Sequence, residues 1–149
     1  MRIKTTVTEI THDDLVNLFS TATYGSEYFF CRIPNGNYQG TELEDPEDCL
    51  EDKWAKVLLA GKAIYVFDGY SEDDSEFYGN LPHEWSNYHD CMRYTLTLAD
   101  IVKAMEKALS ENDYMVGYIN NMACDNGRFD QIQAEALLQY IVFGEEVYG

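Results

Sequence analysis

The chain has 149 residues, 46% of them hydrophobic, which is enough for one domain with a buried core. Its charge is unusual, because 27 acidic residues against 10 basic ones give a formal net charge of -17. Negative charge of this density disfavours binding to nucleic acid and to anionic membranes. The composition therefore indicates a cationic partner.

The amino-terminal part predicts a strand, a helix and a second strand. Residues 2–10 alternate in polarity and are rich in β-branched side chains, which is typical of a strand. Thr11 followed by Asp14 predicts a helix start, and Gly25 can end that helix. A second strand is predicted over residues 27–33. There is no apolar run typical of a signal peptide, so we expect a protein of the cytoplasm.

A second helix is predicted over residues 46–60. Asp45 followed by Pro46 is typical of a helix start, and Gly61 can stop the helix. Asp48 and Asp52 are four residues apart and would lie along one face. Residues 42–52 contain seven acidic residues and no basic residue, so this segment is the first acidic block. The apolar stripe of the predicted helix is formed by Leu50, Trp54, Val57 and Leu58.

The third and fourth strands are predicted over residues 62–68 and 92–98, with a long connection at 69–91. Residues 68–90 hold seven acidic residues and no basic residue, and form the second acidic block. A long connection in a compact domain is typically functional or structured by its own side chains. Simple disorder is disfavoured by the number of rings in and beside this connection. These rings are Phe67, Tyr70, Phe77, Tyr78, Trp85 and Tyr88.

The carboxyl-terminal third predicts further helices. Thr97 and Asp100 have capping-box spacing, and residues 129–143 repeat apolar side chains, including Ile132, up to a stop at Gly144. Residues 114–123 are predicted as either a short helix or a connecting strand. The predicted fold is therefore a single α+β domain over residues 1–149. It would have about four mainly antiparallel strands, with four or five helices packed on the sheet.

Recognised catalytic motifs are absent from the sequence. There is no P-loop, nucleophile elbow or dinucleotide-binding glycine pattern, so we expect no catalysis and no cofactor. His83, His89 and Cys91 form an H-x5-H-x-C pattern that matches no standard zinc spacing. We expect no metal there, and a small enzyme or metal-binding protein using this region stays an alternative. Because no C-x-x-C pair occurs, we expect reduced, mostly buried thiols at Cys31, Cys49, Cys91 and Cys124.

The two acidic blocks suggest imitation of the charge of DNA. Duplex DNA carries one negative charge per about 1.7 Å of axis, and carboxylates at alternate strand positions lie about 6 to 7 Å apart. Carboxylates would steer a basic nucleic-acid-binding protein, and aromatic side chains would anchor it. The predicted partner-binding residues are Glu44, Asp48, Asp52, Tyr70, Glu72, Asp73, Asp74, Glu76, Phe77, Tyr78, Trp85 and Tyr88.

Two other interpretations of the same pattern stay open. Acidic loops keep proteins soluble, and rings in a long loop can pin that loop to its own domain. The chain could also be a structural or adaptor module of a phage or mobile element. In that case we expect a partner that is not basic.

Four segments carry a resemblance to known proteins. "YGSEYFF", "EDKWAKVLLAGKAIYVFD", "YTLTLADIVKAMEKAL" and "ALLQYIVFGEEVYG" occur in this order. The chain thereby resembles small acidic proteins carried by bacteriophages and mobile elements, a group that includes DNA-mimic anti-restriction and anti-CRISPR proteins. The resemblance implies an inhibitor of a host defence nuclease, acting in the bacterial cytoplasm. It implies no role for any individual residue.

Overall fold

The fold is taken from a computed structural model, which describes residues 10–72, 79–124 and 127–148. These residues form five α-helices and a four-stranded antiparallel sheet, which confirms the predicted α+β fold. The elements in chain order are α1 (His12–Thr23), β1 (Phe29–Arg32), α2 (Leu50–Leu59), β2 (Ile64–Asp68), β3 (His83–Ser86), β4 (Cys91–Leu96), α3 (Leu98–Glu111), α4 (Asp113–Cys124) and α5 (Gln131–Phe143).

The sheet has the strand order β1-β2-β4-β3. Side chains that are paired in register share one face of a sheet. Phe29 on β1 and Tyr94 on β4 face the helices, because both rings contact the ring of Phe143 on α5 at centroid distances of 5.9 and 5.4 Å. Phe30 and Phe67 are also paired in register, and they lie on the opposite face. We call that side the outer face.

Local hydrogen bonds set several helix ends as the sequence predicts. Thr11 and Asp14 exchange hydrogen bonds at the start of α1, and Thr97 and Asp100 do the same at the start of α3. Gly144 ends α5 in the left-handed conformation with φ of 84°. Three predicted helices are thus confirmed, and residues 114–123, left open between helix and strand, belong to helix α4.

The predicted start of α2 at Asp45 and Pro46 is wrong, because the helix begins at Leu50 with Cys49 as its N-cap. Asp45 caps a single turn instead. Its side chain accepts a hydrogen bond from the amide of Glu47 at 2.9 Å, and its carbonyl accepts one from the amide of Asp48 at 3.1 Å. The hydroxyl of Tyr38 also accepts a hydrogen bond from the Asp45 amide at 2.9 Å. This contact comes from outside the segment and holds the turn.

Three of the four predicted strands are confirmed as β1, β2 and β4, and the fourth strand of the sheet differs from the prediction. The predicted strand at residues 2–10 falls almost entirely outside the described residues. The strand β3 was not predicted, and it lies inside the long connection, where it pairs with β4 in register from His83 opposite Tyr94 to Ser86 opposite Cys91. Its sequence, HEWS, has no β-branched residue. Pairing with β4 therefore determines its conformation.

Two predictions of burial are also corrected. Ile132 is 76% exposed, because α5 is central only from Ala134 onward and its first turn projects from the core. The thiols are not mostly buried, since Cys49 and Cys124 are exposed while Cys91 is buried. Within the ranges that the structure describes, no helix is long and apolar enough to cross a membrane.

Candidate functional site

The first acidic block presents three exposed carboxylates between β1 and α2. Glu42, Glu44 and Glu47 lie on the turns that precede the helix, and all three are exposed. The Oε1 atom of Glu44 accepts a hydrogen bond from the amide of Gly40 at 3.0 Å, which fixes the local turn. None of the three forms an ion pair with a base in the described part of the chain. We call these three residues the acidic turn surface.

Asp48, by contrast, is held within the protein. Its side chain is only 10% exposed, and Oδ2 accepts from Lys56 Nζ at 2.7 Å and lies 2.9 Å from the hydroxyl of Tyr38. The hydrogen bond from Lys56 lowers the pKa of Asp48. Asp48 also precedes α2, so it shares no helix face with Asp52. Its charge is neutralised locally and contributes little to a surface that attracts cations.

Asp52 is engaged in a second cluster, at the start of α2. Its carboxylate lies 2.9 Å from the Cys49 thiol and 2.9 Å from His12 Nε2 on α1. These hydrogen bonds lower the pKa of Asp52, with the thiol contributing most. Sequence reasoning missed this cluster because His12 is 40 residues away from Asp52 along the chain.

The Cys49 cluster has the residue types of a nucleophilic site but not its geometry. The thiol lies against the carboxylates of Asp52 and Glu51, and their hydrogen bonds raise the pKa of Cys49 to about 11. A nucleophilic cysteine needs a base that removes its proton and a lowered pKa. Here the imidazole of His12 contacts Asp52 instead of the thiol. The arrangement therefore favours the protonated form of the Cys49 thiol.

Several of the chain's few cations lie over tyrosine rings. Cation–π contacts of this kind orient a positive charge without neutralising a carboxylate. Two of these cations, Arg32 and Lys53, form no ion pair with a carboxylate of the described chain. The acidic excess therefore stays largely uncompensated at the surface. The pairs, with the distance from cation to ring centroid, are Arg32 and Tyr88 (5.8 Å), Lys53 and Tyr38 (5.3 Å), Arg93 and Tyr65 (4.0 Å), and Lys107 and Tyr140 (5.4 Å).

The second acidic block is described only in part. Asp73, Asp74, Glu76, Phe77 and Tyr78, all predicted partner-binding residues, lie outside the described residues. Glu72 and Glu84 are exposed, and Glu84 forms an ion pair with Arg93. The described rings are therefore the part of this block that can be assessed for partner binding.

The described rings of this block, those of Tyr70, Trp85 and Tyr88, differ in packing and exposure. The hydroxyl of Tyr70 donates to Glu27 at 2.7 Å, and its ring packs on Tyr28 and Tyr148 at centroid distances of 4.6 and 5.5 Å. Trp85 on β3 is half-buried, whereas Tyr88 is 83% exposed. Tyr70 therefore pins its own loop although it is 45% exposed, and Tyr88 is the more exposed of the two rings.

The outer face carries a small aromatic cluster of its own. The rings of Phe30 and Phe67 are parallel with a centroid distance of 4.7 Å, and His89 packs edge-on against both at 5.1 and 4.8 Å. Phe67 and Cys91 are both almost completely buried, although neither belongs to the main core. The turn at residues 87–90 thus closes over this face of the sheet. Desolvation and the charge of Arg32 lower the pKa of His89.

The histidines of the possible metal site are not brought together. His83 lies in register with Tyr94 on the helix-facing side, and its Nδ1 lies 2.9 Å from the carbonyl of Leu81. His89 lies on the outer face against Phe67. No group of three or more histidine, cysteine, aspartate or glutamate side chains suited to a metal ion occurs among the described residues.

The chain matches no protein-family model, and neither the curated proteins nor the solved structures include one that matches it. Inferences about its function therefore depend on its own residues. The acidic turn surface contains one residue predicted from sequence, Glu44, and two that were missed, Glu42 and Glu47. The missed pair lie in the acidic block, but the predicted helix register favoured Asp48 and Asp52 instead.

Proposed function

We propose that this protein acts without catalysis, by presenting the acidic turn surface to a basic protein that binds nucleic acid. A bacterial defence nuclease is the kind of partner that this charge would suit. The exposure of Glu42, Glu44 and Glu47 without an ion-paired base carries the proposal. Three carboxylates on consecutive turns would occupy the lysine and arginine side chains that otherwise contact phosphates.

Steering and anchoring would come from different residues. Surface carboxylates accelerate association with a cationic partner and add modest net affinity, whereas a buried ring at an interface supplies much of the binding energy. Tyr88 is the described ring that best fits the second role, because it is 83% exposed while it contacts the ring of His89 and the guanidinium of Arg32. The carboxylates of Asp52 and Glu51 beside Cys49 raise the pKa of its thiol, which disfavours nucleophilic chemistry at this position.

A capture experiment with charge-matched variants tests the proposal. The immobilised protein is exposed to a lysate of the bacterial host at about 0.05 M and about 0.5 M salt, which changes the screening length severalfold. We expect a basic nucleic-acid-binding protein to be retained at low salt and released at high salt. Reversal of the acidic turn surface (Glu42→Lys, Glu44→Lys and Glu47→Lys) is expected to weaken binding to the purified partner by about tenfold or more.

The control variant changes the net charge equally at a distant surface. Its substitutions are Glu106→Lys, Glu145→Lys and Glu146→Lys, which are exposed on α3 and after α5. We expect this variant to bind almost as well as the unchanged protein. Equal losses in both variants would mean that net charge and not the acidic turn surface is recognised. A retained partner that is not basic would favour the adaptor interpretation.

A second measurement addresses competition with nucleic acid. If the protein occupies the nucleic-acid site of its partner, it should displace a labelled DNA duplex from that partner, and the acidic turn variant should not. Simultaneous binding of the duplex and this protein would contradict the proposal even if the interaction depends on salt.

A further inference from the structure

A groove of about 690 Å³ runs between the edge strand β1 and helix α2. β1 is an edge strand because β2 is the only described strand that pairs with it. The opposite wall comes from the first turns of α2, through Leu50, Lys53 and Trp54. Residues 34–36, 38 and 39 form the wall next to the carboxyl end of β1. An edge strand beside a helix is the usual setting for strand addition by an extended peptide.

The backbone of Cys31 points toward this groove. The amide of Gly69 donates to the carbonyl of Tyr28 at 2.7 Å, so this carbonyl faces β2, whereas the Tyr28 amide donates to Ser26 Oγ at 3.0 Å. Because this direction alternates along an antiparallel strand, Phe30 also faces β2 and Cys31 faces the open edge. The Phe29 amide, which has the same direction as Cys31, lies 3.4 Å from Ser26 Oγ. Among the described residues, the edge of β1 that has no strand partner is therefore centred on the amide and carbonyl of Cys31, with the Ile33 amide beyond it.

The charge of the groove is opposite to that of the whole chain. Its two charged lining residues are Arg32 and Lys53, and it is lined by no carboxylate. Both cations are oriented by tyrosine rings, and neither is ion-paired to a described carboxylate. Beside them Leu50 is 53% exposed on the first turn of α2. The groove thus combines two available positive charges with an apolar wall and an open strand edge.

We propose that this groove binds the carboxyl-terminal segment of a partner protein, which adds to β1 as a strand and places its terminal carboxylate between Arg32 and Lys53. A chain terminus fits because the protein turns directly after β1, where the amide of Asn37 donates to the carbonyl of Pro34 at 3.2 Å. Gly36 permits this turn with φ of 87°. A strand added parallel to β1 cannot continue through that wall, so its carboxyl end lies beside the two cations.

This site is independent of the acidic turn surface, because it recognises an anion where the acidic turn surface recognises cations. Two charge-assisted hydrogen bonds to one carboxylate give stronger binding than neutral ones. Main-chain pairing with Cys31 would fix the direction of the segment, and alternate side chains would lie against Leu50 and Trp54.

Synthetic peptides test the charge recognition. A library of alternating apolar and polar hexapeptides with free carboxyl termini is screened by fluorescence anisotropy, and the best binder is remade with an amidated terminus. We expect the amide to bind about tenfold or more weakly, and we expect a similar loss for the Arg32→Gln and Lys53→Gln variants. Lys103→Gln, on the exposed surface of α3, is the matched control and should bind normally. Equal binding of acid and amide, or no binding at about 1 mM by any peptide, would overturn the proposal.

Peptide N-methylation tests the strand pairing separately. Only every second residue of an added strand faces β1. Methylation of the peptide amides that face β1 should therefore abolish binding, and methylation of the remaining amides should leave the affinity within about threefold. Amide resonances of Cys31 and Ile33 should shift on titration with the best binder. Equal effects of both methylated sets would contradict strand addition. A dimer in sedimentation analysis that excludes the peptides would assign the groove to a second copy of the chain and would overturn the proposal.

Discussion

The carboxylate of Asp68, the last residue of β2, accepts a hydrogen bond of 2.6 Å from the hydroxyl of Tyr148, 80 residues further along the chain. The amide of Tyr70 donates to the other oxygen of Asp68 at 3.0 Å. Gln139 on α5 holds the same terminal segment, because its Oε1 accepts from the amides of Val147 and Tyr148 at 2.8 and 2.7 Å. A buried acid of the sheet thus ties the carboxyl-terminal tail to the core.

Asp68 is expected to give the protein a distinctive dependence on pH. Burial raises its pKa, and the hydrogen bonds from Tyr148 and the Tyr70 amide offset this only in part. Because the folded-state pKa lies above that of the unfolded chain, the stabilisation is complete below about pH 4 and is lost as pH rises through the folded-state pKa. The free energy of unfolding of the unchanged protein should therefore fall, relative to that of Asp68→Asn, as pH rises from about 4.

Urea unfolding at a series of pH values measures this difference. Tyr148→Phe serves as the companion variant, because it keeps the buried carboxyl group of Asp68 and removes the hydroxyl that donates a hydrogen bond to it. We expect that loss to cost about 1 to 3 kcal/mol at neutral pH. Parallel pH profiles for the unchanged protein and Asp68→Asn would show that the pKa of Asp68 is not raised.

The outer-face cluster is expected to stabilise the fold, while the exposed ring beside it is not. Phe67→Ala removes a ring that is 3% exposed, stacked on Phe30 and contacted edge-on by His89, and this should cost about 3 kcal/mol or more of unfolding free energy. Tyr88→Ala should change stability by less than about 0.5 kcal/mol, because the ring is mostly in solvent. Thermal and urea unfolding measure both. A large loss of stability in Tyr88→Ala would make this ring a structural anchor and remove it as a partner contact.

His89 should weaken the outer-face cluster at acid pH. Desolvation and the charge of Arg32 lower its pKa, so its stabilising contribution is present above the ordinary pKa of about 6.5 and is lost as pH falls through the folded-state value. His89→Phe keeps a ring against Phe30 and Phe67 and cannot be protonated. We compare the free energies of unfolding of His89→Phe and the unchanged protein in urea. The difference should favour the variant more at about pH 5 than at about pH 8. An equal difference at both pH values would contradict this prediction.

Cys49 should alkylate slowly although it is exposed. With a pKa of about 11, raised chiefly by its hydrogen bonds to Asp52 and Glu51, only about 0.1% of the thiol is ionised at pH 8, and this is roughly two hundredfold less than for a free cysteine. Iodoacetamide labelling followed by mass spectrometry gives its rate. Asp52→Asn should accelerate the reaction, since it removes one of the carboxylates beside the sulfur. Rapid labelling of the unchanged protein would instead reveal an activated thiol and reopen the enzyme alternative.

Local sequence determined the parts of this protein whose hydrogen bonds span only a few residues. The capping box of Thr11 and Asp14 and the left-handed stop at Gly144 each depend on neighbours within one turn, so sequence spacing predicted both helix ends. Strand periodicity and helix periodicity likewise predicted the α+β class. The charge of -17 is also a property of composition alone.

Tertiary contacts decided which charges and rings are available. Asp48 and Glu47 are adjacent acids, yet only Asp48 reaches Lys56 and Tyr38, and no local pattern separates the two. Tyr70 and Tyr88 are similar rings in one acidic connection, but Tyr70 packs on the terminal Tyr148 while Tyr88 stays in solvent. Both outcomes depend on partners distant in sequence, because burial and ion pairing are determined by which elements the folded chain brings together.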